Sequence, residues 1–376
     1  MGNINTLFTF DYEIFGNGSG DVKNCLVNPT NNIVQLLGKY CLPATFFVDV
    51  CMIWAVEENE KKGAFTHLNY SPIELIKAQL KNLVKAGHDV QLHAHPQMVG
   101  SHYSENIFSV NYDYWRIIDL PLGENENDLS SIYGILAQGK KTLQDIIQNS
   151  GNNYQCLAFR AGGLCSRPER DFLAAMRKSG LVFDFSGAYN FKIEDWPGAV
   201  DFTDVFDRPD PILAGESYNQ QTEQNPIISI PIYGAKFYPW SDLPKRIWNK
   251  FFQVGDYWTW RKKRPVNCQG STAVAGTQKS QKTQSSGNRF KKLNMNFYLE
   301  NSVNSMIWST KHAIGKARLR EKDVYLVGIG HPKAMGDLSQ LDQYLEWVTK
   351  KSKSYKIKFY TVSQISEQNF GPYFSG

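Results

Sequence analysis

No CxxC pair and no regular cysteine spacing occur in this sequence: Cys25, Cys41, Cys51, Cys156, Cys165 and Cys268 are scattered along it. That excludes a disulfide framework and a cysteine-based structural zinc site, and most of these residues read as small core side chains in a reducing compartment. Long apolar runs are missing too. The longest, ATFFVDVCMIWAV, is broken by Asp49 and falls short of the roughly 20 residues that a membrane span needs. The opening MGNINTLFTFDYE has no basic n-region, no apolar h-region and no small-residue cleavage site, so a cytoplasmic chain is the expectation. No short internal repeat is visible.

Acidic residues vanish from one stretch. Residues 261–292 carry nine Lys or Arg and no Asp or Glu, and removing those nine charges from the net +5 leaves −4, so the basicity is local. Most of that stretch, 265–292, is rich in Ser, Thr, Gln, Gly and Lys. It has too few large apolar residues to offset its ordering entropy, and is expected to be a flexible insertion. Just before it, 243–264 interleaves six aromatics with seven Lys or Arg. This mixture fits peripheral contact with an anionic membrane, at the inner membrane surface, or a packed helix followed by a solvated charge cluster. Nucleic acid is not an expected partner, because the basic residues do not recur on other elements.

What is present is an alternation. Strand-like runs at 4–10, 44–50, 88–92, 155–159, 181–185, 323–330 and 355–360 are separated by helix-like stretches near 29–40, 71–86, 129–149, 168–179, 296–319 and 338–350. Such an order predicts an α/β fold with a parallel sheet covered by helices. With 376 residues and no composition break that ends a domain, one interrupted barrel-like domain over 1–376 is preferred to two.

On that strand map the ionisable exceptions cluster. Asp11 and Glu13 follow the first strand, His93 and His95 the third, Arg160 the run CLAF, and His331 the run VYLVGIG. The carboxyl ends of parallel strands open on one face, so four distant segments converge on one pocket. Strand side chains alternate, which puts His93 and His95 on one side and Asp11 and Glu13 on one side. Two neutral imidazoles and a carboxylate are a common hydrolytic zinc set with a position left for water. FRAGG places Arg160 after an apolar strand and before glycines that admit close backbone, and predicts a buried carboxylate partner. Asp184 in LVFDFSG reads as a structural hydrogen-bonding residue; His67, His102 and His312 read as structural.

The motif order FTFDYE, ATFFV, GHDVQLHAHP, FRAGG, GLVFDFS and GIGHPK resembles the polysaccharide deacetylase superfamily, the NodB-homology or carbohydrate esterase family 4 proteins. It is most similar to the branch associated with bacterial surface-polysaccharide biosynthesis, whose members carry a strand-end HxHP. The resemblance implies a distorted (β/α) barrel of about seven parallel strands and an acetylated sugar as substrate. It also implies Asp11 as general base, Arg160 as the residue that orients it and His331 as the acid. The family's second aspartate position holds Tyr12 here and its second histidine position holds Gln97, so Glu13 and His95 are the replacement ligands beside His93.

The activity expected is a hydrolase that removes acetyl from an N- or O-acetylated sugar, lipid-linked in one version. It uses a divalent metal, Zn²⁺ first, with Co²⁺, Ni²⁺ or Fe²⁺ as alternatives. Two other readings remain: another metal-dependent amidohydrolase or phosphoesterase, and a non-catalytic carbohydrate-binding protein on a decayed deacetylase fold. Glycoside hydrolysis is disfavoured, because two carboxylates on one strand leave no room for a sugar between them.

Overall fold

The structure is a computed structural model describing residues 2–148, 154–194, 197–237 and 293–371. The expectations for 243–264 and 265–292 lie outside the described residues. Along the curled sheet, seven parallel strands run in the order Ile227–Ser229 (β7), Phe183–Asp184 (β5), Ala158–Ala161 (β4), Asp89–Ala94 (β3), Thr45–Asp49 (β2), Ile4–Tyr12 (β1) and Val324–Gly330 (β8). Ile357–Phe359 (β9) adds a parallel strand against the start of β1. On the far edge Ile212–Ser217 (β6) and the short pair Gln220–Gln221 run antiparallel. The two ends of the curl approach one another where Tyr233 N–H donates to Val327 O at 3.0 Å. A half-barrel closed by single contacts is therefore what the alternating elements build.

Every residue of β1 is buried, as a strand covered on both faces requires. Phe8, Phe10 and Tyr12 face the helical layer, while Leu7 joins Phe47, Phe183, Phe185, Ile228 and Val327 in a second cluster inside the curl. The interior face thus passes from Leu7 through Thr9 to Asp11 and Glu13. Apolar packing fills its lower part and ionisable groups its mouth.

The outer layer is formed by Asn28–Lys39 (α1), Val50–Lys61 (α2), Pro72–Lys85 (α3), Ile132–Ile147 (α4), Arg170–Lys178 (α5), Val303–Arg320 (α6) and Ser339–Tyr355 (α7). Local sequence sets their starts. Ser71 accepts from Glu74 N–H with Pro72 in the first turn, and the apolar stripe Ile73, Ile76, Leu80, Leu83 and Val84 then turns inward. A last helix, Val362–Asn369 (α8), opens with a Thr361/Gln364 capping box. It presses Val362 and Ile365 into the interior cluster. Because Ser363 also binds Asp89 at the start of β3, this helix stoppers the amino-terminal end of the barrel.

Two elements escape the sequence pattern. Helix α2 follows β2 without a loop, since Asp49 caps it by accepting from Cys51 N–H, so its apolar first turns read as a continuation of the strand. Strand β6 has no clean alternation and is held by pairing with β7. Cys51, Cys156 and Cys165 are buried free thiols and Cys41 is an exposed one, as expected for most of the cysteines. No helix among the described residues is long and apolar enough to cross a membrane.

Candidate functional site

All six expected residues meet at the carboxyl ends of β1, β3, β4 and β8. Alternation along β1 points Asp11 and Glu13 into the mouth of the curl and sends Tyr12 the other way, where its hydroxyl donates to Gln79 Oε1 of α3 at 2.7 Å. Tyr12 is fully buried in the helical layer. The position that could have carried a second aspartate is thus structural, and Glu13 takes the inward place.

Arg160 is wholly buried. Its Nη1 donates to Asp11 Oδ1 at 2.6 Å, Nη2 to Thr9 Oγ1 at 2.8 Å and Nε to Phe185 O at 3.2 Å, with the guanidinium 4.2 Å over the Phe47 ring. Burial alone would push the Asp11 carboxyl up. Arg160 first, then His93 and His331, outweigh it and hold Asp11 below the usual aspartate range.

Glu13 lies at the centre of the ligand set. Its Oε2 is 3.2 Å from His93 Nε2 and 2.5 Å from His95 Nε2, and the three side chains offer ligand atoms within 4.8 Å of one another. Burial raises Glu13, but Lys333, then His95 and the hydrogen bonds of both imidazoles, bring it well below the usual range. His93 Nδ1 is 2.7 Å from Arg160 O, an acceptor that keeps a proton on Nδ1 and turns Nε2 towards the centre. Burial disfavours the charged His93 ring, yet Asp11 and Glu13 raise its affinity for a proton.

His95 fits because Gly162 has no side chain: a Cβ there would stand 2.7 Å from both Ala94 O and His95 Nδ1. The close backbone expected at FRAGG is that of Ala94 against Gly162, and the His95 imidazole uses the same space. Gly162→Ala is expected to displace the ring and weaken divalent-metal binding by about 10-fold or more, readable by zinc titration. Unchanged zinc affinity in a folded variant would remove His95 from the ligand set.

His331, a quarter exposed, approaches from β8 with Nε2 3.6 Å from Asp11 Oδ2 and 3.9 Å from Glu13 Oε1. Its Nδ1 is 2.6 Å from Glu300 Oε1, which also accepts from the His331 backbone N–H. Burial lowers the proton affinity of His331, while Glu300 and then Asp11 raise it, to a pKa of about 9. A folded-state value above the unfolded imidazole's roughly 6.5 gives stability that is full below pH 6.5 and lost as pH rises through about 9. The stability gap between wild type and His331→Gln should accordingly shrink between pH 6 and pH 10 in urea titrations; a constant gap would contradict the charge on His331.

Sequence reading missed Glu300, Lys333 and the aromatic wall. Lys333 Nζ donates to Glu13 Oε1 at 2.7 Å and to Ile14 O at 2.9 Å. Its place in GIGHPK, two residues after His331, was the available signal. Trp115 stands with its ring 6.3 Å from that of His95, and Tyr112 stacks parallel on it at 5.7 Å. Tyr112 and Tyr114 are among the few exposed large apolar side chains of the described residues. The cluster NYDYW was the available signal for them.

Asp184 and His312 have the hydrogen-bonding parts read for them. Asp184 accepts from Ser186 N–H, Tyr218 Oη–H and Ser229 Oγ–H inside the barrel. His312 is bound to Tyr233 on the flank, at 2.7 Å.

Two imidazole nitrogens and a carboxylate are a donor set suited to zinc and its neighbours, and the buried Gln97 Oε1, without a partner among the described residues, is an acceptor 2 residues from His95 that such a ligand could use. The residues fit a divalent metal. Asp11, Glu13 and His331 form a second group whose ligand-type atoms lie within 4.8 Å of one another.

No family model and no curated protein matches the sequence. Solved structures do. A protein assigned as a polysaccharide deacetylase from Mycobacterium smegmatis is similar at TM-score 0.47 and 12% identity, over 99% of this chain and 91% of its own. Puue allantoinase gives TM-score 0.46 and 12% identity over 97% and 89%. A carbohydrate esterase family 4 pseudoenzyme from Bacillus anthracis gives 0.36 and 10% over 96% and 64%.

Proposed function

We propose that this chain is a metal-dependent hydrolase that removes an acetyl group from an N- or O-acetylated sugar, a surface polysaccharide or its precursor. The observation that carries it is the division of labour along one strand: Asp11 is committed to Arg160 and His331, and Glu13 to two imidazoles. Glu13, His93 and His95 would hold the ion. Bound there, a divalent cation supplies an acidified water, with a pKa of about 7 for zinc, and a Lewis acid for the acyl carbonyl.

The chain's own groups do the rest. Asp11, kept ionised by Arg160, accepts a proton at Oδ2, the oxygen that Arg160 leaves free and that faces His331. His331, protonated at neutral pH and steadied by Glu300, donates from Nε2 to the departing amine or alkoxide. Tyr112 and Trp115 offer an apolar wall on which the face of a pyranose ring can stack. A lipid-linked sugar met at the inner membrane surface is the version of the substrate that would use 243–264. Unchanged vesicle binding after deletion of 243–292 removes that version.

The first test is elemental analysis of protein purified without chelators. About one Zn, Co, Ni or Fe per chain is expected, and loss of it in His93→Ala. A wild type that stays metal-free when zinc is added sinks the reading and favours the non-catalytic one.

Lys333 is the observation that favours the non-catalytic reading, since its ammonium already neutralises Glu13. Both readings meet in Lys333→Met. Removing a like charge from hydrogen-bond contact with a ligand should tighten zinc binding by about tenfold or more in calorimetry. Equal affinities would show that Lys333 does not compete with the ion.

A further inference from the structure

Gln97 sits on the short turn Pro96–Met98, fully buried. Its amide nitrogen lies 2.8 Å from His95 Nδ1 and 3.4 Å from Gly16 O, while its Oε1 is buried without a hydrogen-bond partner among the described residues. An orphaned amide oxygen is costly, so the arrangement needs a reason.

The reason lies across the ring. His95 Nε2 is 2.5 Å from Glu13 Oε2, a separation that requires a proton between them. With Nε2 carrying that proton, a neutral imidazole presents a lone pair at Nδ1, and only the amide N–H of Gln97 can meet it. A metal ligand needs the opposite ring: lone pair at Nε2, proton at Nδ1, and an acceptor facing Nδ1. A half-turn of the Gln97 amide exchanges Oε1 for the NH₂ group at the same place. It gives up the long contact to Gly16 O, which Oε1 would then face, and moves the unpartnered place from Oε1 to the NH₂ group.

His93 has no such choice. Its Nδ1 faces the carbonyl oxygen of Arg160, which accepts and never donates, so His93 keeps its Nδ1 proton in either state. One histidine is permanently set for an ion and the other is conditional.

We propose that Gln97 is a positioning residue that selects the tautomer of His95, with amide nitrogen towards Nδ1 in the metal-free protein and amide oxygen towards Nδ1 when Glu13, His93 and His95 hold a divalent cation. This rests on the metal reading above. The position where the deacetylase motif has a second histidine is then occupied by the side chain that makes its substitute, His95, a ligand.

Zinc titration by calorimetry and ¹⁵N NMR of the imidazole nitrogens, on the full chain, test it together. Wild type should carry the His95 proton on Nε2 without zinc and on Nδ1 with it. Gln97→Leu, which offers no acceptor, should weaken zinc binding by about 10–100-fold, and Gln97→Glu, which only accepts, should restore it. Gln97→Glu should also hold the Nδ1 proton before zinc is added, a signature that a merely structural role would not move. Gln97→Leu with wild-type zinc affinity, or a His95 tautomer indifferent to zinc and to Gln97→Glu, overturns the proposal. Should Gln97→Leu fail to fold, the comparison of wild type with Gln97→Glu carries the test. Absence of zinc binding in wild type overturns the metal reading; the metal-free tautomers of wild type and Gln97→Glu then decide whether Gln97 governs His95.

Discussion

Replacing Arg160 with methionine is expected to cost about 3–5 kcal/mol of unfolding free energy, as breaking a fully buried ion pair commonly does. The guanidinium has no exposed surface and binds Asp11, Thr9, Phe185 O and the Phe47 face at once. Methionine fills much of the volume but leaves Asp11 charged in a site that desolvates it. Urea unfolding at pH 7 measures the loss, and a change below about 1 kcal/mol would mean that water reaches Asp11 freely. Asp11→Asn combined with Arg160→Met should cost less than the sum of the two single changes, because each single change strands a partner. The sign with pH follows from Asp11. A carboxyl held low in the folded state contributes stability above its unfolded value of roughly 3.8, and that contribution is lost as pH falls through the folded one.

His331→Ala should lower kcat by about 10²–10⁴-fold, the span of a well-placed general acid, while zinc affinity changes little. His93→Ala should do the reverse and lose the ion. Acetate release from an acetylated sugar, followed beside zinc content, separates them; equal metal loss in both variants would contradict the division of roles. The pH profile adds a second reading. Activity that needs protonated His331 declines above about pH 9, and this limb should disappear from the residual rate of His331→Ala.

Much of this was legible without coordinates, for identifiable reasons. Period-two burial makes Asp11, Glu13, His93 and His95 point inward as soon as the strands are recognised, and parallel topology brings their ends together. Arg160 announced a buried carboxylate by following an apolar run. The partners that tune these groups were harder to read. Glu300 lies in no motif and meets His331 only because β8 brings the two together, with Leu299 N–H bound to Ile329 O. Gln97 looked like the loss of a ligand, and only the contact with His95 Nδ1 gives it a part. Lys333 and Trp115 depend on side-chain directions that a linear motif does not encode. Helix α2 was hidden because an apolar helix that starts at a strand end has the composition of a longer strand.

The sheet's wiring has a bearing on how the protein is made. Strand β1 finds its neighbours β8 and β9 only after more than 300 intervening residues; Thr9 already reaches across 319 positions to Gly328. A nascent chain halted at residue 320 would leave the β8 side of β1 without its partner, an open edge of the kind that recruits foreign strands. The interior would also lack its stopper, α8. The β8 side of β1 can therefore be paired only once residues 324–330 have left the ribosome, at the slow pace of distant pairings, and shielding of β1 by a chaperone should raise the yield of folded protein.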